Sequence, residues 1–406
     1  MFGAVEDVIV IGAGPAGSAA ANLLAQGGHR VLVLEAAYFP RFHIGESLLP
    51  SELAITERLG VDLDGVPFLR KRGAVFIDER DGRRATFSFD EGLPGTPDHA
   101  HQVDRATFDH ELLRAAERAG ALVLQGHRVV EVEVGDRDVR VVADIVDERG
   151  RATGESFEAK GRYLVDASGQ KALLARRDHT LEPYRDFGRA AAFCRFDGLR
   201  PEIVAELHER GDIIVKIIED GWMWAIPMLE GLSVGLVKTT GRMRPQLLVD
   251  AVAGSPLLSR LTKDARRGPV GLAGNFSYRN VTPYGARYAC IGDAAHFLDP
   301  VFSSGVALAL AGAERLADHL APALTQGREA DPKLMVEAEA EMAVAYEAFR
   351  RFIHRFYHTR LVDNVLLGNH HTGQNFRAGV ISVLAADVWR DDNPFQNMLL
   401  RARRYG

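Results

Sequence analysis

The chain has 406 residues, 47% of them apolar and 26% charged, with a net charge of −6. That length suits two or three domains of roughly 150 residues each, and the weak acidity, with no Lys/Arg run, argues against a nucleic-acid footprint. Cys194 and Cys290 neither build a disulfide framework nor show metal-ligand spacing. The first residues carry no basic leader and no apolar run reaches the length of a membrane span, so a cytoplasmic protein is expected.

Val8-Ile9-Val10-Ile11 is unbroken and β-branched, the pattern of a strand buried on both faces. Gly12-Ala13-Gly14-Pro15-Ala16-Gly17 follows, then an Ala-rich helix from Ser18 to Gln26 closed by Gly27-Gly28. A second buried strand, Val31 to Leu34, ends on Glu35. GxGxxG alone is weak, but between a strand and a helix, with an acid at the end of the next strand, it points to a dinucleotide. Gly12 allows the tight turn, Gly14 lets backbone approach a pyrophosphate, Gly17 lets helix and strand pack, and Glu35 accepts hydrogen bonds from a ribose.

The stretch Phe39 to Pro50, with Arg41, His43, Glu46 and Ser47, reads as a structured loop that either lines a ligand site or carries surface charges. A helix from Ser51 to Leu59 comes next. Phe68 to Ile77 is a strand segment, turned at Asp81-Gly82 into another strand ending near Phe89. By itself, Lys71 at its entrance is a solvated charge or a functional group. Asp104 is a candidate N-cap for a helix reaching Ala119, with Phe108, Leu112 and Ala116 inward. Arg105 in its first turn opposes the helix dipole, which an anionic partner such as a phosphate would explain. Leu122 to Phe157 alternates as a β-meander crossing over the main sheet, and Tyr163-Leu164-Val165 is a further buried strand closed by Asp166.

From 180 to 280 the character changes. Short strands at 191–196, 213–218, 222–227, 232–238 and 273–279, with a helical piece over 242–263, predict an antiparallel sheet with a helix, inserted as a second domain. In Trp222-Met-Trp224-Ala-Ile226-Pro227, strand period two places both indoles and Ile226 on one face; locally this reads as a core-facing patch. Tyr288 to Ile291 is a short strand broken by Gly292-Asp293, and Asp299-Pro300 forces a turn. Ser303-Ser304 then caps a small-residue helix from Gly305, whose N-terminus attracts an anion. Leu334 to Arg360 is a long helix with Phe349, Phe352, Ile353, Phe356 and Tyr357 as a stripe, read as a core or interdomain face. A last helix runs within His370 to Trp389; His370-His371 has no matching ligand cluster, so no metal is expected.

Gly12 to Gly17, Glu35, Arg105 and Gly292-Asp293 together resemble the FAD-binding motifs of the flavoprotein monooxygenase and hydroxylase fold. More narrowly, Phe39-Pro-Arg-Phe-His-Ile-Gly-Glu-Ser47, Lys71-Arg-Gly-Ala-Val-Phe76, Trp222 to Pro227 and Phe297-Leu-Asp-Pro-Val-Phe-Ser-Ser-Gly305 resemble flavin-dependent halogenases. WxWxIP and FxxPxxSxG are the marks usually taken to separate these from hydroxylases, and Arg377 to Val388 is similar to a core helix of the phenol- and pyrrole-acting branch. The resemblance implies an α/β fold: a Rossmann-like FAD-binding domain of glutathione-reductase type, with a parallel sheet and β-meander, an inserted antiparallel substrate domain and C-terminal helices. The implied boundaries are 1–68, 101–175 and 281–330 for FAD binding, 69–100 and 176–280 for substrate, and 331–406 for the helical region.

The resemblance also implies roles. FAD contacts fall on Gly12, Gly14, Pro15, Ala16, Gly17, Glu35, Arg41, Ser47, Arg105, Asp293, Pro300 and Gly305. Reduced FAD from a separate flavin reductase, with O2, would give a C4a-hydroperoxide that oxidises chloride or bromide to hypohalous acid. Backbone N–H groups of Ser304 and Gly305 would hold the halide. Lys71 would bind the oxidant, and Trp222 and Trp224 would wall its tunnel. The implied substrate is an electron-rich phenol or pyrrole, free or tethered to a carrier protein. Val301-Phe302 occupies the region where tryptophan halogenases place a glutamate, so free tryptophan is not the expected substrate. The alternative is a monooxygenase, reductase or dehydrogenase of the same fold.

Overall fold

A computed structural model describes residues 5–184, 187, 189–368 and 373–401. Its first sheet is parallel through five strands in the order Tyr288–Cys290, Ala152–Asp166, Glu6–Ile11, Val31–Glu35 and Leu122–Gln125. The β-branched runs alternate between two cores. Val8, Val10, Val31 and Val33 face the helices, whereas Ile9, Ile11, Leu32 and Leu34 face Val129, Val132, Val139 and Val141 of the ribbon. Both faces are therefore dry, which is why these strands carry no polar alternation.

Two expectations about the meander are corrected. Leu122–Gln125 belongs to the parallel sheet rather than to the ribbon. Tyr163-Leu164-Val165 is not a separate strand; Ala152–Asp166 is continuous, pairing antiparallel with Val139–Val146 in its first part and parallel with Glu6–Ile11 in its last. A long strand can serve both because its exposed first half and buried second half meet different layers.

The second sheet runs Arg266–Arg267, Arg189–Asp197, Leu232–Lys238, Gly221–Pro227, Ile213–Ile218, Gly73–Asp78 and Arg83–Ser88. It is antiparallel except where Gly73–Asp78 lies parallel to Ile213–Ile218. Its inner face, with Phe76, Val215, Trp222, Trp224 and Ile226, joins the core of the first sheet's helices. Its outer face is covered by Pro201–His208, Pro245–Ala253 and Pro256–Leu261. The expected 242–263 helix is thus two, divided at Gly254-Ser255, where the Ser255 side chain caps the second. Pro201–His208 was absent from the sequence reading.

Helix Pro15–Gln26 packs between Arg105–Ala119 and Ser304–Gln326. The long helix Val336–His358 buries Phe349, Phe352, Ile353 and Phe356, and Phe352 stacks on Phe302 at 3.8 Å. The aromatic stripe is core, as its spacing implied. Gln374–Leu384 and Pro394–Arg401 close the chain; His370 and His371 lie outside the described residues. No helix among the described residues is long and apolar enough to cross a membrane.

Candidate active site

The Gly-rich turn is built by close approach. A Cβ on Gly17 would sit 1.9 Å from the Gly12 carbonyl oxygen, and one on Gly12 would sit 2.5 Å from that of Ala167. Gly14 is different: its added Cβ would meet only an Arg41 Nη2, at 3.6 Å. Gly14 therefore leaves room beside the N-terminus of Pro15–Gln26, whose first N–H groups lack helical partners. Pro15 and Ala16 open that helix. Glu35, closing its strand, accepts from Ala13 N and Ala37 N, both at 2.7 Å, and so ties the turn to the second strand.

Arg105 has an anion that the sequence reading did not name. Its Nε and Nη2 donate to the Asp109 carboxylate at 2.8 and 3.0 Å, and Nη1 donates to the Ile44 carbonyl at 2.9 Å. A phosphate is not needed to explain it. Asp109, 0% exposed, also accepts from Arg41 Nη1 at 3.2 Å. Two guanidinium groups thus share one carboxylate beside Gly14, leaving a surplus positive charge where a pyrophosphate would lie. The i,i+4 spacing of Arg105 and Asp109 was the available signal.

Gly292 packs on Ala16 and Ala309; a Cβ there would be 3.0 and 3.5 Å from their Cβ atoms. This brings Asp293 to the junction of the two helix starts. Burial pushes its carboxyl up to about 7, although Arg105 draws it down. Ser47 is buried and its Oγ has no hydrogen-bond partner, an orphan of the kind a bound polar group satisfies. These features fit FAD: a cradle without side chains, surplus positive charge and an unsatisfied hydroxyl.

The turn before the last helix of this junction departs from expectation. Asp299 accepts from Val301 N at 3.1 Å and starts the turn Pro300–Phe302, with Pro300 exposed. The helix begins at Ser304, and its N-cap Ser303 gives no side-chain cap bond. Ser303 is held at φ +57°, the left-handed region, so its hydroxyl is not placed to reach the next N–H groups. Ser304 is buried, Gly305 is exposed, and nothing lies within 4 Å of where a Gly305 Cβ would be. The first N–H groups of this helix lack helical partners.

Lys71 is a deeply buried charge. It pairs with Ala100 across the two-stranded piece Leu69–Lys71 and Ala100–Gln102. Strand alternation turns Arg70 out and Lys71 in, to 1% exposure. Its Nζ donates to the Leu48 carbonyl at 2.7 Å and lies 5.4 Å from the Phe89 ring centre. Burial brings its pKa down to about 7, against the pull of Glu52 and Asp212. Lys71 lines a cavity with Leu49, Phe76, Val301, Phe302 and Ser303, so it and the Ser303 turn share one space.

Trp222 and Trp224 lie 5.7 Å apart between ring centres and are nearly buried. Trp222 donates to the Tyr357 hydroxyl at 2.8 Å and Trp224 to Ser233 Oγ at 3.3 Å. Neither lines the Lys71 cavity; both belong to the core face. One further cluster, Asp64, His99 and His101, brings ligand-type atoms within 4.8 Å of one another. Arg70 forks Asp64 at 3.0 Å and His101 Nε2 already meets it at 3.1 Å, so the Asp64 carboxylate is engaged in an ion pair.

A parallel sheet with a Gly-rich turn, joined to a second sheet over a buried lysine, defines a two-sheet flavoprotein of the FAD-dependent oxidoreductase type. The sequence profile of the tryptophan halogenase family matches residues 7–96 and 91–366. The flavin-dependent halogenase armH4 of Armillaria mellea is 32% identical over 336 residues, covering 75% of this chain and 63% of the relative. A chlorinase of carrier-bound 1H-pyrrole-2-carbonyl from Pseudomonas fluorescens is 28% identical over 412 residues, 94% and 89% of the two chains. Among solved structures, the myxobacterial chondrochloren halogenase CndH superposes with a TM-score of 0.78 at 28% identity over 98% and 97% of the chains. A flavoprotein/dehydrogenase from Cytophaga hutchinsonii superposes at 0.83 with 25% identity over 97% and 96%. The chain belongs to the flavin-dependent halogenases of the tryptophan halogenase family. It spans less than two thirds of the length of armH4.

Proposed function

We propose that this chain is a FADH2-dependent halogenase of an electron-rich aromatic, phenolic or pyrrolic, free or presented on a carrier protein. The observation that carries this reading is the burial of Lys71 in one cavity with the Ser303 turn. Reduced FAD and O2, when bound, supply the two-electron oxidant that turns chloride or bromide into hypohalous acid. The residues of this chain do the rest. Gly14, Arg41, Arg105, Asp293 and Ser47 hold the cofactor. The first N–H groups of the Ser304 helix hold the halide. Lys71 receives the hypohalous acid, hydrogen-bonding it as ammonium or reacting with it as amine, a choice opened by its lowered pKa.

The same reading assigns the Gly-rich sheet to FAD and the second sheet to substrate, with the boundaries given above. It requires a separate flavin reductase and places the enzyme in the cytoplasm. The similarity of nearly the whole chain to a carrier-bound pyrrole chlorinase supports a tethered substrate. The test is turnover with FAD, reductase, NADH and bromide against free and carrier-tethered phenols and pyrroles, read by mass spectrometry for the bromine isotope doublet. Lys71→Met should lose brominated product while still oxidising reduced FAD; normal bromination by that variant would remove the lysine from the mechanism.

A second reading, as hydroxylase, reductase or dehydrogenase, draws on Trp222 and Trp224 lying outside the Lys71 cavity and on the likeness to a flavoprotein/dehydrogenase. It predicts product with no halide added.

A further inference from the structure

Lys71 and Glu52 meet through a single peptide group. Lys71 Nζ donates to the Leu48 carbonyl oxygen at 2.7 Å, and Leu49 N donates to Glu52 Oε1 at 3.0 Å. That carbonyl and that N–H are the two ends of one planar amide. The amide dipole is therefore aligned between the two side chains, its oxygen toward the amine and its hydrogen toward the carboxyl. Charge at either end polarises it in the same sense and strengthens the bond at the other.

Both side chains are out of water, Lys71 at 1% exposure and Glu52 at 0%. A glutamate at the start of a helix ordinarily reaches back to a free N–H at a wet surface. Glu52 makes that reach at the start of Glu52–Arg58, but in the interior, and its Oε2 has no hydrogen-bond partner. A glutamine would make the same bond to Leu49 N without an ionisable group. The buried carboxyl calls for an electrostatic reason, and Lys71 on the far side of the amide supplies it. The other charges facing the pair are few. Asp212 acts on Lys71, with one oxygen held by Arg210 Nε at 2.6 Å; Arg105 acts on Glu52.

We propose that Glu52 is a positioning residue for Lys71, acting through the Leu48–Leu49 amide to aim the amine at the cavity and to set its charge. This deepens the halogenase reading and takes its functional consequence from it. An ionised Glu52 favours the ammonium form of Lys71; a neutral one favours the amine. Burial raises the Glu52 carboxyl and lowers the Lys71 amine, while each charge draws the other group toward its ionised form, so the two groups compete for one proton. Transfer of that proton from the amine to the carboxyl turns the ion pair into a neutral pair with no change in net charge, so an amine form arises without stranding a buried charge.

The test compares the full-length protein with Glu52→Gln and Glu52→Asp. Glutamine keeps the bond from Leu49 N and the volume, so it removes charge without opening a cavity. Lysine carrying 13C at Cε reports the Lys71 titration directly by NMR, with Lys71→Met assigning the signal. Lys71 should titrate lower in Glu52→Gln by about half a pH unit or more, and Glu52→Asp should return it toward the wild-type value. With reduced FAD and bromide, Glu52→Gln should lower kcat for brominated product and leave the rate of flavin oxidation unchanged. Superimposable Lys71 titrations in wild type and Glu52→Gln overturn the proposal, whatever the activity. A shifted titration in a protein that never brominates supports the coupling and overturns the halogenase reading instead.

Discussion

Trp222 and Tyr357 are joined by a 2.8 Å hydrogen bond from the indole Nε1 to the phenol oxygen. The same hydroxyl donates to Asp299 Oδ2 at 2.9 Å, and Asp299 Oδ1 accepts from Val301 N. One indole of the WxWxIP strand is thus connected through the long helix to the turn that delivers Ser303. The connection gives the first tryptophan a positional part that packing by itself does not express.

Tyr357→Phe removes the bond from Trp222 and the bond to Asp299, and takes this acceptor away from the buried indole N–H. The expected cost is about 1–3 kcal/mol, seen as a lower denaturant midpoint. Because the lost bonds support the Ser303 turn, halogenation should fall further than flavin oxidation. A variant with unchanged midpoint and unchanged product would show that the relay carries no weight.

Gly14→Ala and Gly17→Ala should separate cofactor binding from folding. The Gly14 Cβ has room, so the alanine variant should fold with a near-normal melting temperature and bind FAD poorly, because the methyl group enters the space kept for pyrophosphate. The Gly17 Cβ would collide with the Gly12 carbonyl at 1.9 Å, so that variant should be recovered misfolded or not at all. Absorbance of bound FAD together with a thermal melt distinguishes the two.

Asp109→Asn leaves Arg105, 5% exposed, without its counter-charge. Breaking a buried pair in this way costs about 3–5 kcal/mol. FAD should restore more stability to Asp109→Asn than to wild type, because a pyrophosphate re-supplies the anion. Melting with and without FAD checks this; equal FAD-induced shifts would place the phosphates elsewhere.

The Lys71 pKa makes a signed prediction for stability. Its value is about 7 in the folded protein against an ordinary 10.5. Between those values the unfolded chain binds the extra proton, so the lysine's cost to folding diminishes as pH rises. Wild-type stability relative to Lys71→Met should therefore increase from about pH 7 to pH 10, by on the order of 1 kcal/mol per pH unit. Parallel pH profiles for the two proteins would show that Lys71 stays protonated when buried.

Much of this molecule was legible from local pattern. The strand, GxGxxG and strand-end Glu35 are a local grammar, because their geometry is dictated by close approach of neighbouring backbone. The aromatic stripe of the long helix and the one-sided face of Trp222, Trp224 and Ile226 followed from periodicity. Asp109 as the partner of Arg105 was within reach of the i,i+4 rule and was passed over for a more distant anion. The course of Ala152–Asp166 was not legible, because nothing local marks where a strand leaves an antiparallel partner for a parallel one. The Ser303 cap was misjudged since cap preference presumes an extended φ, and this residue sits at +57°.

By itself, the sequence determined the dinucleotide-type turn and the family's motifs, all written in residues adjacent in the chain. Only the tertiary structure decided which charges are buried together. Lys71, Glu52, Asp212 and the Ser303 turn come from four separated segments, and their convergence depends on the second sheet packing over the helices of the first. Desolvation has no sequence signature: a lysine at a strand entrance is an ordinary ammonium in water and becomes a titrating amine only when the fold removes the water around it.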